Sequence, residues 1–229
     1  MIIEGMRKLT LLDFPGRCAA TLFTHGCNLR CPFCHNASLV TRAPESEITA
    51  AEVYAFLEKR TGLLDGVCIT GGEPLINKEV FELMRGIRAR SFAVKLDTNG
   101  FFPEALARVL SEGLADYVAM DIKSSPEGYA AATGIPDIDI TPVRESIALL
   151  MSGKTDFEFR TTAVKGLHTK KDFEGIADMI AGEEKYFIQR FVDSGDLIGG
   201  GYSAFSPEEE WEILQAVRTR VKNAFLRGV

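Results

Sequence analysis

The chain has 229 residues, of which 46% are hydrophobic, and it carries a formal net charge of −6. A chain of this length can bury a substantial core, whereas charges of mixed sign without a basic stripe make nucleic acids and anionic membrane surfaces poor candidates as partners. No stretch approaches the ~20 apolar residues that a membrane-spanning helix needs. The five cysteines form no disulfide pattern, so we expect a protein of the reducing cytoplasm, with Cys18 and Cys68 as buried thiols.

The order of the predicted elements indicates an α/β fold. Residues 1–16 are predicted to form an N-terminal leader, a hairpin or an extended arm, and residues 17–229 a single domain. Within that domain β-rich runs alternate with amphipathic helical runs, which is typical of parallel βαβ units. Six units are too few to close an eight-stranded barrel, so we expect an open, partial (βα)6 barrel of the TIM type. The predicted strands cover residues 18–24, 66–70, 93–97, 117–121, 157–164 and 186–191.

The helix boundaries are predicted from capping signals. Thr49 with Glu52 and Ser206 with Glu209 match the capping box, in which the side chains at both positions bond free N–H groups at the helix start. Two further helices are predicted to end at glycines, because a left-handed terminator requires that residue. These helices begin at Thr141 and Thr169 and end at Gly153 and near Gly182, and the remaining ones cover residues 78–88 and 103–112.

Three cysteines, Cys27, Cys31 and Cys34, fall within eight residues after the first predicted parallel strand. Thiolates alone in a compact run are typical of iron-sulfur clusters, while structural zinc usually needs a fourth cysteine or a histidine. His35 directly follows Cys34 and lies too close to return easily to the same metal. A four-iron cluster on three cysteines leaves one iron free for an outside ligand, and a zinc knuckle is the alternative.

Polar residues follow the predicted strands one after another. Parallel barrels place their chemistry at the carboxyl ends of the strands, where loops and helix starts converge. A turn explains any one of these groups, but their succession favours one shared site. Beyond the cysteine loop, the groups are Gly71-Gly72-Glu73, Asp97-Thr98-Asn99, Asp121 with Lys123, Arg160 and Gln189.

Two of these groups follow neighbouring predicted strands. Gly71 and Gly72 remove side chains where the chain must turn sharply, so their backbone groups can bond a ligand, and Glu73 adds a carboxylate beside them. Thr98 and Asn99 are interpreted as lining a cofactor pocket, although a plain turn between strand and helix explains the same residues.

Charged residues form the remaining part of the predicted site. Asp121 and Lys123 point to the same face and are interpreted as contacts to a cofactor's ribose and carboxylate, with a surface ion pair as the alternative. Arg160 lies in an apolar strand and needs an anionic partner, for which a cofactor carboxylate and a structural salt bridge are equal candidates. His168 is predicted to be a plain loop histidine.

These motifs resemble those of the radical S-adenosylmethionine superfamily. Nearly the whole chain is similar to the small activating proteins of glycyl-radical enzymes, and most similar to those of anaerobic ribonucleoside-triphosphate reductase. The resemblance is carried by residues 11–16, 25–36, 71–74, 96–100 and 120–123.

The resemblance implies a radical SAM core with a [4Fe-4S] cluster on the three cysteines and S-adenosylmethionine on the free iron. It implies reductive cleavage to methionine and a 5′-deoxyadenosyl radical, which installs a glycyl radical on a partner enzyme. Flavodoxin or ferredoxin is the implied electron donor, because no insert with further cysteines follows the cluster loop.

The resemblance also implies roles for individual residues. The pyruvate formate-lyase activating enzyme has a histidine near the last strand, where this chain has Gln189 and Arg190 instead. A monovalent cation is implied near Asp97, Thr98 and Asp121. By the same resemblance, Phe33 and His35 border the adenine, Gly71, Gly72 and Glu73 hold the methionine end, and Asp121 and Lys123 bind further along the cofactor.

Three alternatives to the reductase activase stay open at this point. The chain could activate an enzyme similar to pyruvate formate-lyase. It could direct the same radical chemistry at a small molecule, as in the compact carboxy-deazaguanine synthases. It could also be a metal-binding or electron-transfer module without enzymatic activity.

Overall fold

The computed structural model describes residues 1–182 and 185–228, and one sheet of eight strands forms its centre. The strands are β1 (Ile3–Thr10), β2 (Ala19–Thr24), β3 (Gly66–Gly71), β4 (Ala93–Thr98), β5 (Tyr117–Asp121), β6 (Asp156–Ala163), β7 (Tyr186–Arg190) and β8 (Ala224–Arg227). They are hydrogen-bonded in chain order from β1 to β8. β1 is antiparallel to β2, and each later pair is parallel.

Helices fill most of the crossovers between the parallel strands. They are α1 (Ala37–Thr41), α2 (Ala50–Glu58), α3 (Val80–Arg88), α4 (Pro103–Ser111), α5 (Tyr129–Thr133), α6 (Thr141–Ser152), α7 (Lys170–Met179) and α8 (Pro207–Arg218). A 3-10 turn covers Pro74–Ile76. No helix in the described part of the chain is long and apolar enough to cross a membrane.

The predicted α/β class and all six predicted strands are confirmed, each strand to within one residue at either end. β1 also confirms the hairpin arm, because its register with β2 pairs Ile3 with Thr24 and Thr10 with Ala19. The division into a leader at 1–16 and a domain at 17–229 stays a prediction. β8 was not predicted, because a run of four residues is too short to show a strand pattern.

The capping boxes at Thr49 and Ser206 are both present, and Thr169 forms a third with Asp172. The predicted glycine terminators are wrong in their conformation. α6 ends at Ser152 as expected, but Gly153 is extended, with φ −80° and ψ −178°. α7 ends at Met179, and Gly182 lies beyond it in an isolated bridge to Val221.

Helix α3 illustrates why the helices pack on the sheet as they do. Its apolar residues Val80, Phe81, Leu83, Met84 and Ile87 recur at helical spacing and are all buried, whereas its charged residues face outward. Together with the buried faces of β3 and β4 they belong to one continuous core. Burial of a large aliphatic side chain contributes roughly 1.5–3 kcal/mol, so this face fixes the helix in place.

The two predicted buried thiols differ in position. Cys68 lies on β3 and is fully buried. Cys18 precedes β2 and is only half-buried, and its backbone N–H donates to the Asp65 carboxylate at 2.8 Å. The expectation of burial is therefore confirmed for Cys68 and wrong for Cys18.

A charged contact connects β8 to β6, which is not its neighbour in the sheet. Glu158 on β6 is 1% exposed and accepts two hydrogen bonds from Arg227 on β8, at 2.7 and 2.9 Å. The Tyr117 hydroxyl on β5 donates to the same carboxylate at 2.9 Å. These bonds connect three strands that the chain brings together from far apart.

We expect Arg227→Met to lower the free energy of unfolding by about 1–3 kcal/mol, because it leaves the buried Glu158 carboxylate with one donor. Chemical denaturation measures this change. The matched control is Arg220→Met, whose partner Asp178 is 60% exposed, and it should cost less than about 1 kcal/mol. Equal losses in the two variants would contradict the assigned role of Arg227.

Candidate active site

A cavity of ≈ 220 Å³ lies at the carboxyl ends of the parallel strands. The strand-end groups singled out in the sequence converge on it, as the topology of a parallel sheet requires. The predicted site residues that line it are Cys27, Cys31, Phe33, Cys34, His35, Gly71, Gly72, Thr98, Asn99, Asp121, Lys123, Arg160 and Gln189. Glu73 alone among the predicted site residues does not line it.

The cysteine loop, residues 25–36, connects β2 to α1 without a regular element. Backbone bonds hold it near its start and at its middle, from Gly26 N–H to the Leu39 carbonyl at 2.9 Å and from Arg30 N–H to the Thr133 carbonyl at 2.9 Å. Its three cysteines pack on an apolar cluster that includes Phe191. The loop therefore presents its sulfur atoms from a fixed backbone to the cavity.

Burial shapes the chemistry of these sulfur atoms. It raises the pKa of Cys31 to about 12 and also raises the pKa of Cys27, while the nearby Lys123 charge works in the opposite direction. A bound metal would replace the thiol protons, because thiolate is the ligating form. Two N–H groups also point at the Cys27 sulfur, from Leu29 at 3.4 Å and from the Asn99 amide at 3.8 Å.

The two glycines after β3 make a close backbone contact with the cysteine loop. A Cβ on Gly72 would lie 1.9 Å from the Gly26 carbonyl oxygen, and one on Gly71 would lie 2.4 Å from the Thr24 nitrogen. The Gly72 N–H donates to the Thr24 carbonyl at 2.8 Å. Both glycines are thus required by a close approach of the chain to itself, and both line the cavity. The contact of their backbone groups with a ligand stays a prediction.

Glu73 is fully buried beneath the cavity. Its carboxylate accepts hydrogen bonds from the Leu75 N–H at 3.0 Å, the Thr98 hydroxyl at 2.9 Å and the Asn99 N–H at 2.6 Å. Burial raises the pKa of Glu73 to about 7 against the opposing effect of these donors. These contacts orient the loop after β4, and the role of Glu73 beside a ligand stays a prediction.

Asn99 connects that loop to the cysteine loop. Its side-chain amide donates to the Asn28 side-chain oxygen at 2.8 Å and approaches the Cys27 sulfur, while its own oxygen accepts the Phe101 N–H at 3.1 Å. Asn36 makes a second connection, donating to the Gly71 carbonyl at 3.0 Å. Neither Asn28 nor Asn36 was singled out, although both lie inside the cysteine motif.

Five charged side chains on and directly after β4, β5 and β6 form a chain of alternating sign. Lys95 contacts Asp97, and Arg160 lies between Asp97 at 3.3 Å and Asp121 at 2.9 Å. Lys123 contacts the other Asp121 oxygen at 3.0 Å. The structural salt bridge considered for Arg160 is therefore present, and the Asp121–Lys123 pair faces the cavity and not the outer surface.

This alternation keeps Asp97, Asp121 and Lys123 charged. Burial alone would raise the pKa of Asp121, but Arg160 and Lys123 lower it to about 2. For Asp97, too, burial alone would raise the pKa, but Arg160 and Lys95 outweigh burial and bring the pKa below its usual value. Asp121 in turn raises the pKa of Lys123, which overcomes the effect of its burial. Lys95 was not predicted as part of the site, although a charged residue in an apolar strand two positions before Asp97 is a usable signal.

Aromatic rings border the other side of the cavity. Phe33 is buried with its ring at 6.0 Å from that of His168, and His35 stacks on Phe191 at 5.7 Å. Burial lowers the pKa of His35 and thus favours its neutral form.

His168 is not the plain loop histidine expected from the sequence, because it is 4% exposed. The Val164 N–H donates to its Nδ1 at 3.1 Å, and its Nε2 lies 2.9 Å from the Lys123 carbonyl oxygen. Both contacts are satisfied when the proton is on Nε2. Burial lowers the pKa of His168, so this neutral side chain fixes the backbone at Lys123.

A parallel α/β sheet that brings a three-cysteine loop and charged strand ends to one cavity is the arrangement of an enzyme with a metal cluster beside its substrate. The chain matches the Radical SAM superfamily over residues 21–180 and belongs to that superfamily. A radical SAM methyltransferase from Sphaerobacter thermophilus has a similar fold, with a TM-score of 0.71 and 19% identity over 96% of this chain and 68% of that one.

The chain is also similar in sequence to proteins of three other organisms. A Methanocaldococcus jannaschii protein, provisionally named a glycyl-radical enzyme activating enzyme, is 30% identical over 83% of this chain and 80% of its own length. The pyruvate formate-lyase-activating enzyme of Clostridium pasteurianum is 30% identical over 58% of this chain and 57% of its own. The 7-carboxy-7-deazaguanine synthase of Methanopyrus kandleri is 28% identical over 68% and 70%.

We expect Glu73→Gln to lower the free energy of unfolding at pH 5 by about 1–3 kcal/mol, because the amide leaves one backbone N–H without an acceptor. Chemical denaturation of the two proteins measures the difference. Glu82→Gln is the matched control, since Glu82 is 79% exposed, and it should change stability by less than about 1 kcal/mol.

The pH dependence gives the same variant a second readout. Because the pKa of Glu73 is raised from 4.5 to about 7, the folded chain keeps a proton that the unfolded chain has lost. The stability contributed by the neutral carboxyl is present below the unfolded pKa and is lost as pH rises towards 7. The advantage of the wild type over Glu73→Gln should therefore shrink by up to about 3 kcal/mol between pH 5 and 8. A constant difference across this range would contradict the raised pKa.

Proposed function

We propose that this protein is a radical S-adenosylmethionine activase that installs a glycyl radical on a partner enzyme. The observation that carries the proposal is the convergence of Cys27, Cys31 and Cys34 with the polar strand ends on one cavity. The Methanocaldococcus jannaschii relative, which this chain matches over 80% of that protein's length, supports a protein substrate.

The donor set fits a [4Fe-4S] cluster. Three thiols share one cavity wall on an apolar cluster, and N–H groups point at the Cys27 sulfur, as is typical of cluster ligands. Within residues 1–182 and 185–228 no three His, Cys, Asp or Glu side chains converge on the position of a single metal ion. In a four-iron cluster each cysteine binds a different iron, so its ligands need not share one centre.

The residues beside the cysteines fit S-adenosylmethionine. Lys123 and Arg160 are the cationic groups for the methionine carboxylate, and Phe33 and His35 offer ring faces for the adenine. When bound, the reduced cluster supplies the electron that cleaves S-adenosylmethionine to methionine and a 5′-deoxyadenosyl radical, which takes a hydrogen atom from the substrate. The remaining walls around the cofactor are formed by Gly71, Gly72, Thr98, Asn99 and Gln189.

We propose anaerobic ribonucleoside-triphosphate reductase as the partner and flavodoxin or ferredoxin as the electron donor. Two other substrates are alternative candidates to the reductase. The Clostridium pasteurianum relative favours an enzyme similar to pyruvate formate-lyase. The Methanopyrus kandleri relative favours a small molecule as the substrate. It matches 68% of this chain, whereas the Clostridium pasteurianum relative matches 58%.

Anaerobic reconstitution with iron and sulfide, followed by incubation with S-adenosylmethionine, reductant and the candidate reductase, tests the proposal directly. We expect a glycyl-radical doublet in the electron paramagnetic resonance spectrum. Replacing the radical-bearing glycine of the partner with alanine should abolish the doublet. A doublet with a pyruvate formate-lyase homologue alone would move the activity to that partner. Productive consumption of the cofactor with a small molecule alone would exclude an activase.

We expect Cys31→Ala to lose the cluster, because two thiolates remain to hold four irons. Iron and sulfide per protein should fall by more than about tenfold after reconstitution, with a matching loss of cofactor cleavage. Cys18→Ala is the matched control, since Cys18 lies outside the cavity lining, and it should keep both. If Cys31→Ala cleaved S-adenosylmethionine as fast as the wild type, the proposed radical SAM activity would be contradicted.

A further inference from the structure

The carboxylates of Asp97 and Asp121 are already paired with cationic side chains of this chain. Lys95 Nζ contacts Asp97 Oδ1, and Arg160 Nη1 lies 3.3 Å from Asp97 Oδ2. Arg160 Nε lies 2.9 Å from Asp121 Oδ1, and Lys123 Nζ lies 3.0 Å from Asp121 Oδ2. Each of the four carboxylate oxygens therefore has its own charged nitrogen.

The hydroxyl of Thr98 is engaged as well. It donates to Glu73 at 2.9 Å and accepts the Gly100 N–H at 3.2 Å. Metal cations of the hard class bind through several oxygen ligands. Between Asp97 and Asp121 those oxygens are directed at nitrogens instead.

The local charge opposes a further cation. Three cationic groups, Lys95, Arg160 and Lys123, face two carboxylates, so the chain of charges has a net charge of +1. The Lys95 side chain is 2% exposed and that of Arg160 is 12% exposed, so water screens the charge of these two cations only weakly. The residues present therefore do not fit the monovalent cation that the resemblance implies.

We infer that this chain has no monovalent-cation site at Asp97 and Asp121, because the Lys95 ammonium and the Arg160 guanidinium occupy that place. Lys95 is a positioning residue in this arrangement. It occupies one oxygen of Asp97 and so directs the other towards Arg160, which in turn orients Asp121. Ionic-strength effects aside, sodium and potassium should then leave both folding and cofactor binding unchanged.

The wild-type holoenzyme decides the matter first. Its thermal unfolding midpoint, and its affinity for S-adenosylmethionine without reductant by calorimetry, are measured in chlorides of sodium, potassium and tetramethylammonium at equal ionic strength. We expect dissociation constants that agree within about twofold. A saturable gain of about tenfold or more with sodium or potassium would overturn the inference.

Lys95→Ala tests the role of Lys95 itself, since it frees one Asp97 oxygen and removes the excess positive charge. We expect this variant to become stabilised by sodium or potassium and to regain part of its lost cofactor affinity in their presence. A merely structural loss would not respond to the metal ion. If Lys95→Ala stays indifferent to both ions, Lys95 does not replace a cation and the inference fails.

Lys165→Ala is the matched control, because Lys165 forms an exposed pair with Glu209 and should show no cation response. If Lys95→Ala does not fold, the wild-type titration alone decides the outcome. The unfolding midpoint does not depend on the proposed function. Failure of the activase proposal, seen as an absent glycyl doublet, is thus distinguishable from failure of this inference.

Discussion

The site depends on one chain of buried charges that crosses β4, β5 and β6. Arg160 on β6 contacts Asp97 on β4 and Asp121 on β5, so a single guanidinium ties three neighbouring strand ends together. Buried ion pairs add little net stability compared with apolar packing, but they exclude alternative arrangements, because any unpaired member would be a buried charge. The chain of buried charges ends at Lys123. Its ammonium faces the cysteine sulfurs and opposes the effect of burial on the pKa of Cys31.

The cysteine loop has no regular element and takes its shape from its neighbours. Because Gly72 has no side chain, the end of β3 can pack closely against Gly26. Glu73 beneath it accepts a hydrogen bond from Asn99 and so positions the loop after β4. Asn99 then reaches from that loop to Cys27. The Gly71-Gly72-Glu73 motif, which the sequence assigns to ligand binding, therefore also supports the loop that carries the cysteines.

Most of the fold was predictable because the signals are local. Each parallel strand from β2 to β7 is a short apolar run, and three capping boxes mark helix starts through residues three positions apart. The errors arose where the local signal is ambiguous or too short. Gly153 ends its helix in an extended conformation, and β8 exists because Arg227 and its neighbours pair with β7 and Glu158.

The sequence by itself determined the cysteine spacing and the order of polar groups at successive strand ends, and with them the superfamily and the chemistry it implies. Only the tertiary structure decided which of those groups face the cavity and which support it. Glu73 turned inward, Arg160 entered a chain of ion pairs, and Lys95 joined it. The physical reason is that these partners lie far apart in sequence, as Asn99 and Cys27 do at 72 positions, and no local periodicity encodes such pairings.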